Sequence, residues 1–166
     1  MARINSRRPF KRLGLLVALA ALVSGIVAAS ASATVNLSPA GPYASAGAEI
    51  TVSGTSPLKG ATNVAIAVCN VASGVEPGTR CDGEKAIPGL KSLASYEAGL
   101  ALVVRRGPWT DWDFTKGAPV EGTTKTTCKK SGEVANSQCA VVVSYYEVSG
   151  AEVKQVGAEA KNIFFK

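Results

Sequence analysis

Histidine is absent from the 166 residues of this chain. Without it there can be no Ser-His-Asp or Cys-His nucleophile system and no His-ligated metal site. Ser-Lys and paired-carboxylate chemistry stay formally open. Zinc-knuckle spacing is also missing. The 4 cysteines are Cys69, Cys81, Cys128 and Cys139, and neighbours in sequence lie 12 and 11 positions apart, which does not fit C-x2-4-C. The chain has no internal repeat, no linker and no long amphipathic helix. An excess of charge is lacking too, once the N-terminus is set aside. Five of the 18 basic residues and none of the 12 acidic ones precede Thr34, which leaves 13 against 12, or +1. The high isoelectric point belongs to the first residues and argues for no polyanion-binding surface.

What is present begins with an export signal. Arg3, Arg7, Arg8, Lys11 and Arg12 are followed by the apolar run "LGLLVALAALVSGIVAA" and by "ASASA", with A-x-A sites ending at Ala31 or Ala33. This pattern predicts a signal peptide over 1–33, a mature domain over 34–166 and a secreted, extracellular protein. The run is short for a membrane span. "SRRPFK" leaves twin-arginine and general secretory export both open. In an exported chain an even cysteine count reads as two disulfides. Three pairings exist, and sequence proximity favours Cys69–Cys81 and Cys128–Cys139.

The rest reads as strands. "TVNLS" (34–38) and "EITVSG" (49–54) alternate, and "NVAIAVC" (63–69), "GLALVV" (99–104) and "CAVVVSYYEV" (139–148) are rich in β-branched residues. "TTKTTCK" (123–129) reads as a polar strand, and "NIFF" (162–165) closes the chain. Gly/Pro/Ser clusters separate them, as in an all-β sandwich or barrel.

One stretch concentrates candidate chemistry. "LVVRRGPWTDWDF" (102–114) holds both tryptophans, Trp109 and Trp112, with Arg105, Arg106, Asp111, Asp113 and Phe114. Arginines with stacking aromatics suit nucleic acid, but the adjacent acids cancel the charge. A carboxylate pair suits a glycosidase, but i, i+2 spacing on a strand puts both acids on one face, which reads as a solvated face. The expectation is that Asp111 and Asp113 stay in water and that Trp112 and Phe114 share the other face. Trp109 is expected to pack outside or against a ribbon, and the arginines to end the strand at the solvent edge.

The order of these segments resembles the neocarzinostatin family. The residues that carry the likeness are "TVNLSPAGPYASAGAEITVSG", the "LVVRR" strand, two short-range cysteine pairs and "CAVVVS", and it spans about Ala33 to Phe165. The resemblance implies an immunoglobulin-like seven-stranded antiparallel β-sandwich with a small two-stranded ribbon, forming a cleft. It implies a secreted, monomeric, non-enzymatic protein that needs no cofactor of its own. Such a protein carries and protects a non-covalently bound enediyne-type chromophore, a small apolar ligand, and meets DNA only indirectly through it. Neither a metal nor, after signal cleavage, a membrane is implied. Carried over, Cys69 and Cys81 line the cleft with Ala67, Phe114 is the cleft phenylalanine with Trp112 beside it, and Ser144 is the cleft serine. Departures occur at Val71, where an aromatic is expected, at "DGEKA", where a phenylalanine is, at Val142, where a small residue is, and at Tyr145, where an acid is. Both cysteine-closed loops are longer. The alternative is a secreted immunoglobulin-like interaction module without a ligand.

Overall fold

The structure, a computed structural model, describes residues 34–56, 58–76, 78–122, 125–130 and 138–166. The signal peptide expected over 1–33 lies outside the described residues. The chain folds into two antiparallel sheets with almost no helix, as its patterning predicts. The three-stranded sheet has the order β1 (Thr34–Ser38), β2 (Ala48–Thr55), β6 (Leu100–Val104). The second sheet runs β10 (Glu152–Ile163), β9 (Cys139–Ser149), β3 (Asn63–Asn70), β4 (Cys81–Asp82), β7 (Asp111–Asp113), β8 (Ala118–Pro119), with β5 (Lys91–Ser92) also pairing with β3.

Side-chain alternation explains the packing. In β2 and β6 every second residue is buried, and the register sets Ile50 opposite Leu102. Those residues, with Val35, Val52 and Val104, join one core with Val64, Ile66, Val68, Val141, Val143 and Tyr145 of β3 and β9. The two sheets therefore bury their facing sides against each other. β3 and β9 are central strands covered on both faces, which is why their sequences run nearly continuously apolar. Their other face carries a second cluster of Ala67, Cys69, Cys81, Ala140 and Val142. This second face builds the candidate site.

The segment 91–103 divides between a short helix and a strand. Ser92 caps α1 (Leu93–Ala98) by accepting the Ser95 N–H at 3.2 Å, α1 buries Tyr96, and Gly99 ends it before β6. Two strand expectations change. The described part of "TTKTTCK" makes an isolated bridge between Thr126 and Trp109 rather than a strand, while Thr123 and Thr124 lie outside the described residues. β10 starts ten residues before "NIFF". Its polar "EVKQVGAEAK" gives little apolar signal because it is an edge strand, and a β-bulge falls between Gln155 and Gly157.

Candidate ligand-binding site

Both disulfides follow the proximity reading: Cys69–Cys81 and Cys128–Cys139. All four sulfurs are thereby used, and no thiolate is left for zinc. Cys69 and Cys81 are direct cross-strand partners, so the first disulfide ties β4 to β3 at the start of the small extension β4-β7-β8. Replacing both cysteines by alanine is expected to cost about 2–3 kcal/mol, since the closed loop is short. Urea unfolding of oxidised wild type against the variant measures it.

The register assembles the site face. Ala65 lies opposite Ser144, Ala67 opposite Val142, and Cys69 opposite Ala140. Directly opposed residues project from the same side of a sheet, so the predicted Ala67, Cys69, Cys81, Val142 and Ser144 do come together. They line one pocket with Ala65, Ile66, Gly78 and Phe114. The Phe114 backbone N–H donates to the Gly78 carbonyl at 2.9 Å, which fastens the β7–β8 turn to the Cys69–Cys81 loop. The enclosed volume is only about 10 Å³, the room of a single water. Val71 packs half-buried against this cluster without lining the pocket.

Phe114 also borders a larger, open groove of about 370 Å³, lined by Gly83, Glu84, Ala86, Ile87, Pro88, Gly89 and Trp112. Trp112 is half-buried and seated on Gly83, where an added Cβ would lie 2.9 Å from the Trp112 Cβ. The groove wall is held from behind. Arg105 donates from Nε and Nη2 to the two oxygens of Asp82 (2.5 and 2.8 Å) and from Nη2 to Glu84 (2.8 Å). Asp82 is 1% exposed, and its Oδ1 also accepts the N–H groups of Glu84 and Lys85. These bonds to Asp82 hold the Arg105 guanidinium above its ordinary value.

The structure corrects four expectations in "LVVRRGPWTDWDF". Asp111 and Asp113 are buried, at 1% and 6% exposure, rather than solvated. They do share the face opposite Trp112, but that face is covered. Asp113 is used by the turn into β8: its Oδ1 accepts from Thr115 N (2.9 Å), Thr115 Oγ1 (2.6 Å) and Lys116 N (3.2 Å). Burial pushes the Asp113 carboxyl up, but these bonds and the Lys116 ammonium outweigh it and hold it below 3.8. Its contribution to stability is complete above that value and is lost as pH falls through the lower folded one. Asp111 stands directly opposite Asp82 across the strands, and its Oδ1 has no partner among the described residues.

Trp109 is the third correction. At 2% exposure it belongs to the main core, beside Cys128 and Cys139, and not to the outside. Gly107 delivers it there. Its φ is +99°, and a Cβ would meet the Thr126 carbonyl at 2.6 Å and the Trp109 ring at 3.0 Å. The arginines are the fourth. They follow the end of β6 as expected, but neither is spent on solvent: Arg105 binds Asp82, and Arg106 Nε donates to the Cys128 carbonyl at 3.0 Å. The acids that neutralise Arg105 are Asp82 and Glu84, not the two beside the tryptophans.

Sequence reasoning missed Ala65, which the period-2 pattern from Ala67 would have indicated. It also missed the Asp82–Arg105 pair, whose partners lie 23 positions apart with no local signal. Among the described residues no group of three or more His, Cys, Asp or Glu side chains could hold a metal ion. No protein-family model, curated protein or solved structure matches this chain.

Proposed function

We propose that this is a secreted, non-enzymatic binding protein that carries a small, flat, apolar ligand of the enediyne-chromophore kind, as the neocarzinostatin family does. DNA would be reached through that cargo. On this reading β1, β2 and β6 face β10, β9, β3 and β4 as the seven strands of an immunoglobulin-like sandwich, and the hairpin β7–β8 is the ribbon. The supporting observation is the convergence of Ala67, Cys69, Cys81, Val142, Ser144 and Phe114 on one pocket that adjoins the Trp112 groove. The groove volume of about 370 Å³ suits a small ligand. Trp112 on Gly83 offers a ring where "DGEKA" lacks the family's phenylalanine.

The test is titration with an enediyne chromophore or an aromatic polyketide, followed by tryptophan fluorescence. Quenching is expected from Trp112 and should vanish in Trp112→Phe, since Trp109 is shielded in the core. Phe114→Ala is expected to weaken binding by about 1–3 kcal/mol, the scale of one apolar ring. Binding that survives both changes would remove the site.

One observation favours the second reading, an immunoglobulin-like interaction module without a ligand. The inner pocket holds only about 10 Å³, so a cargo reaching the disulfide must displace side chains that line it, Phe114 among them. Saturating ligand that leaves Trp112 emission and Phe114 resonances unchanged would establish this alternative over the first.

A further inference from the structure

We propose that β10 is a self-recognition edge through which two copies of this chain pair antiparallel about a twofold axis. β10 ends its sheet and runs for 12 residues, and its outer edge pairs with no described strand. Such an edge presents a row of free N–H and C=O groups. The edge strands of the other sheet, β1 and β6, have only 5 residues each, and β1 runs into Pro39.

The register of β10 on β9 sorts its side chains. Glu152, Lys154, Glu159 and Lys161 oppose Ser149, Glu147, Val143 and Val141, so all four charges project from the core side of the sheet. Val153, Gln155, Ala158 and Ala160 oppose Val148, Tyr146, Ser144 and Val142 and project from the other side. The bulge at Val156 keeps the two halves of the strand in phase, although 154 and 159 differ in parity.

Charges on an edge strand normally repel a passing strand. Here their order, Glu-x-Lys followed by Glu-x-Lys, is complementary to its own reverse. With Glu152 opposite Lys161 of a second copy, Lys154 comes opposite Glu159, a half-buried carboxylate that also interacts with Tyr96 and Tyr145 of its own chain, and symmetry repeats both pairs. On the other side Val153 then meets Ala160 and Gln155 meets Ala158, so no bulky or like-charged residues collide. Slipping two residues one way sets Glu152 against Glu159. Slipping two the other way sets Lys154 against Lys161. A slip of one residue exchanges the faces. One register satisfies every position, and repulsion excludes its neighbours. The C-terminal part of β10, from Glu159 on, borders two open grooves of about 390 and 380 Å³ next to β1. The monomer expected from the family resemblance is then the dilute state.

Sedimentation equilibrium of the purified protein across a wide concentration range tests this. Reversible dimerisation is expected, weakening with salt, with amide exchange in β10 slowing as concentration rises. Lys161→Glu should weaken it about tenfold or more, because two attractions become repulsions. Glu152→Lys combined with Lys161→Glu should restore it. Both residues are exposed, so thermal unfolding should change little in either variant. A protein that stays monomeric at the highest concentration reached overturns the proposal. So does a dimer indifferent to Lys161→Glu, or one that leaves β10 exchange unchanged.

Discussion

Trp109→Ala is expected to destabilise the fold by about 4 kcal/mol, the range for emptying a buried tryptophan site. Trp109 is 2% exposed, sits in the main core with Cys128 and Cys139, and is pinned by two backbone hydrogen bonds to Thr126. The surroundings cannot collapse easily, because both a disulfide and the Thr126 bridge hold the wall in place. Trp109→Phe should cost much less, about 1–2 kcal/mol. The indole N–H has no partner among the described residues, so losing it forfeits no bond. Trp112→Ala should stay near or below 1 kcal/mol, because that ring is half-buried at the groove. Urea unfolding of the three variants measures the contrast. Equal losses at Trp109 and Trp112 would show that the two rings do not divide between core and groove.

Arg105→Met is the second large effect, expected at about 3–4 kcal/mol. The size comes from Asp82 rather than from Arg105. Removing the guanidinium strands a carboxylate that is 1% exposed and has Asp111 directly across the strands. Arg105→Lys should lose about 1–2 kcal/mol, since an ammonium cannot make the paired bonds to both carboxylate oxygens. Adding Asp82→Asn to Arg105→Met should recover about half of the loss, because the neutral amide oxygen still accepts the Glu84 and Lys85 N–H groups. The groove should loosen in parallel, since those groups begin the segment 83–89 that walls it. Proteolysis within 83–89 and denaturant titration together give the result. A double variant no more stable than Arg105→Met alone would contradict the stranded-charge account.

The two sheets were largely legible from residue order. Alternation at "EITVSG" and the continuous apolar runs of "NVAIAVC" and "CAVVVSYY" reflect how many faces of each strand are covered, and that is a local property. The cysteine pairing was legible for a similar reason, because partners 12 and 11 positions apart meet in short loops. The site was partly legible. Ala67, Cys69, Val142 and Ser144 share a face once β3 and β9 pair in register, while Val71 falls beside the pocket.

Burial of polar residues was not legible. From sequence Asp111 and Asp113 look solvated and Trp109 is expected outside or against a ribbon, because strand periodicity assigns residues to faces without saying what covers each face. Coverage is decided by segments distant in the chain: Thr126 and Cys128 around Trp109, Asp82 opposite Asp111, and Arg105 reaching Asp82. The sequence by itself determined the identity of β1, β2, β3, β6 and β9 and the turn clusters between them, and it favoured the disulfide partners that form, all set by contacts between near neighbours or by period-2 patterning. The tertiary structure alone decided which acids are buried, which tryptophan enters the core and how little room the pocket lined by Phe114 leaves, because each depends on long-range packing that no local pattern encodes.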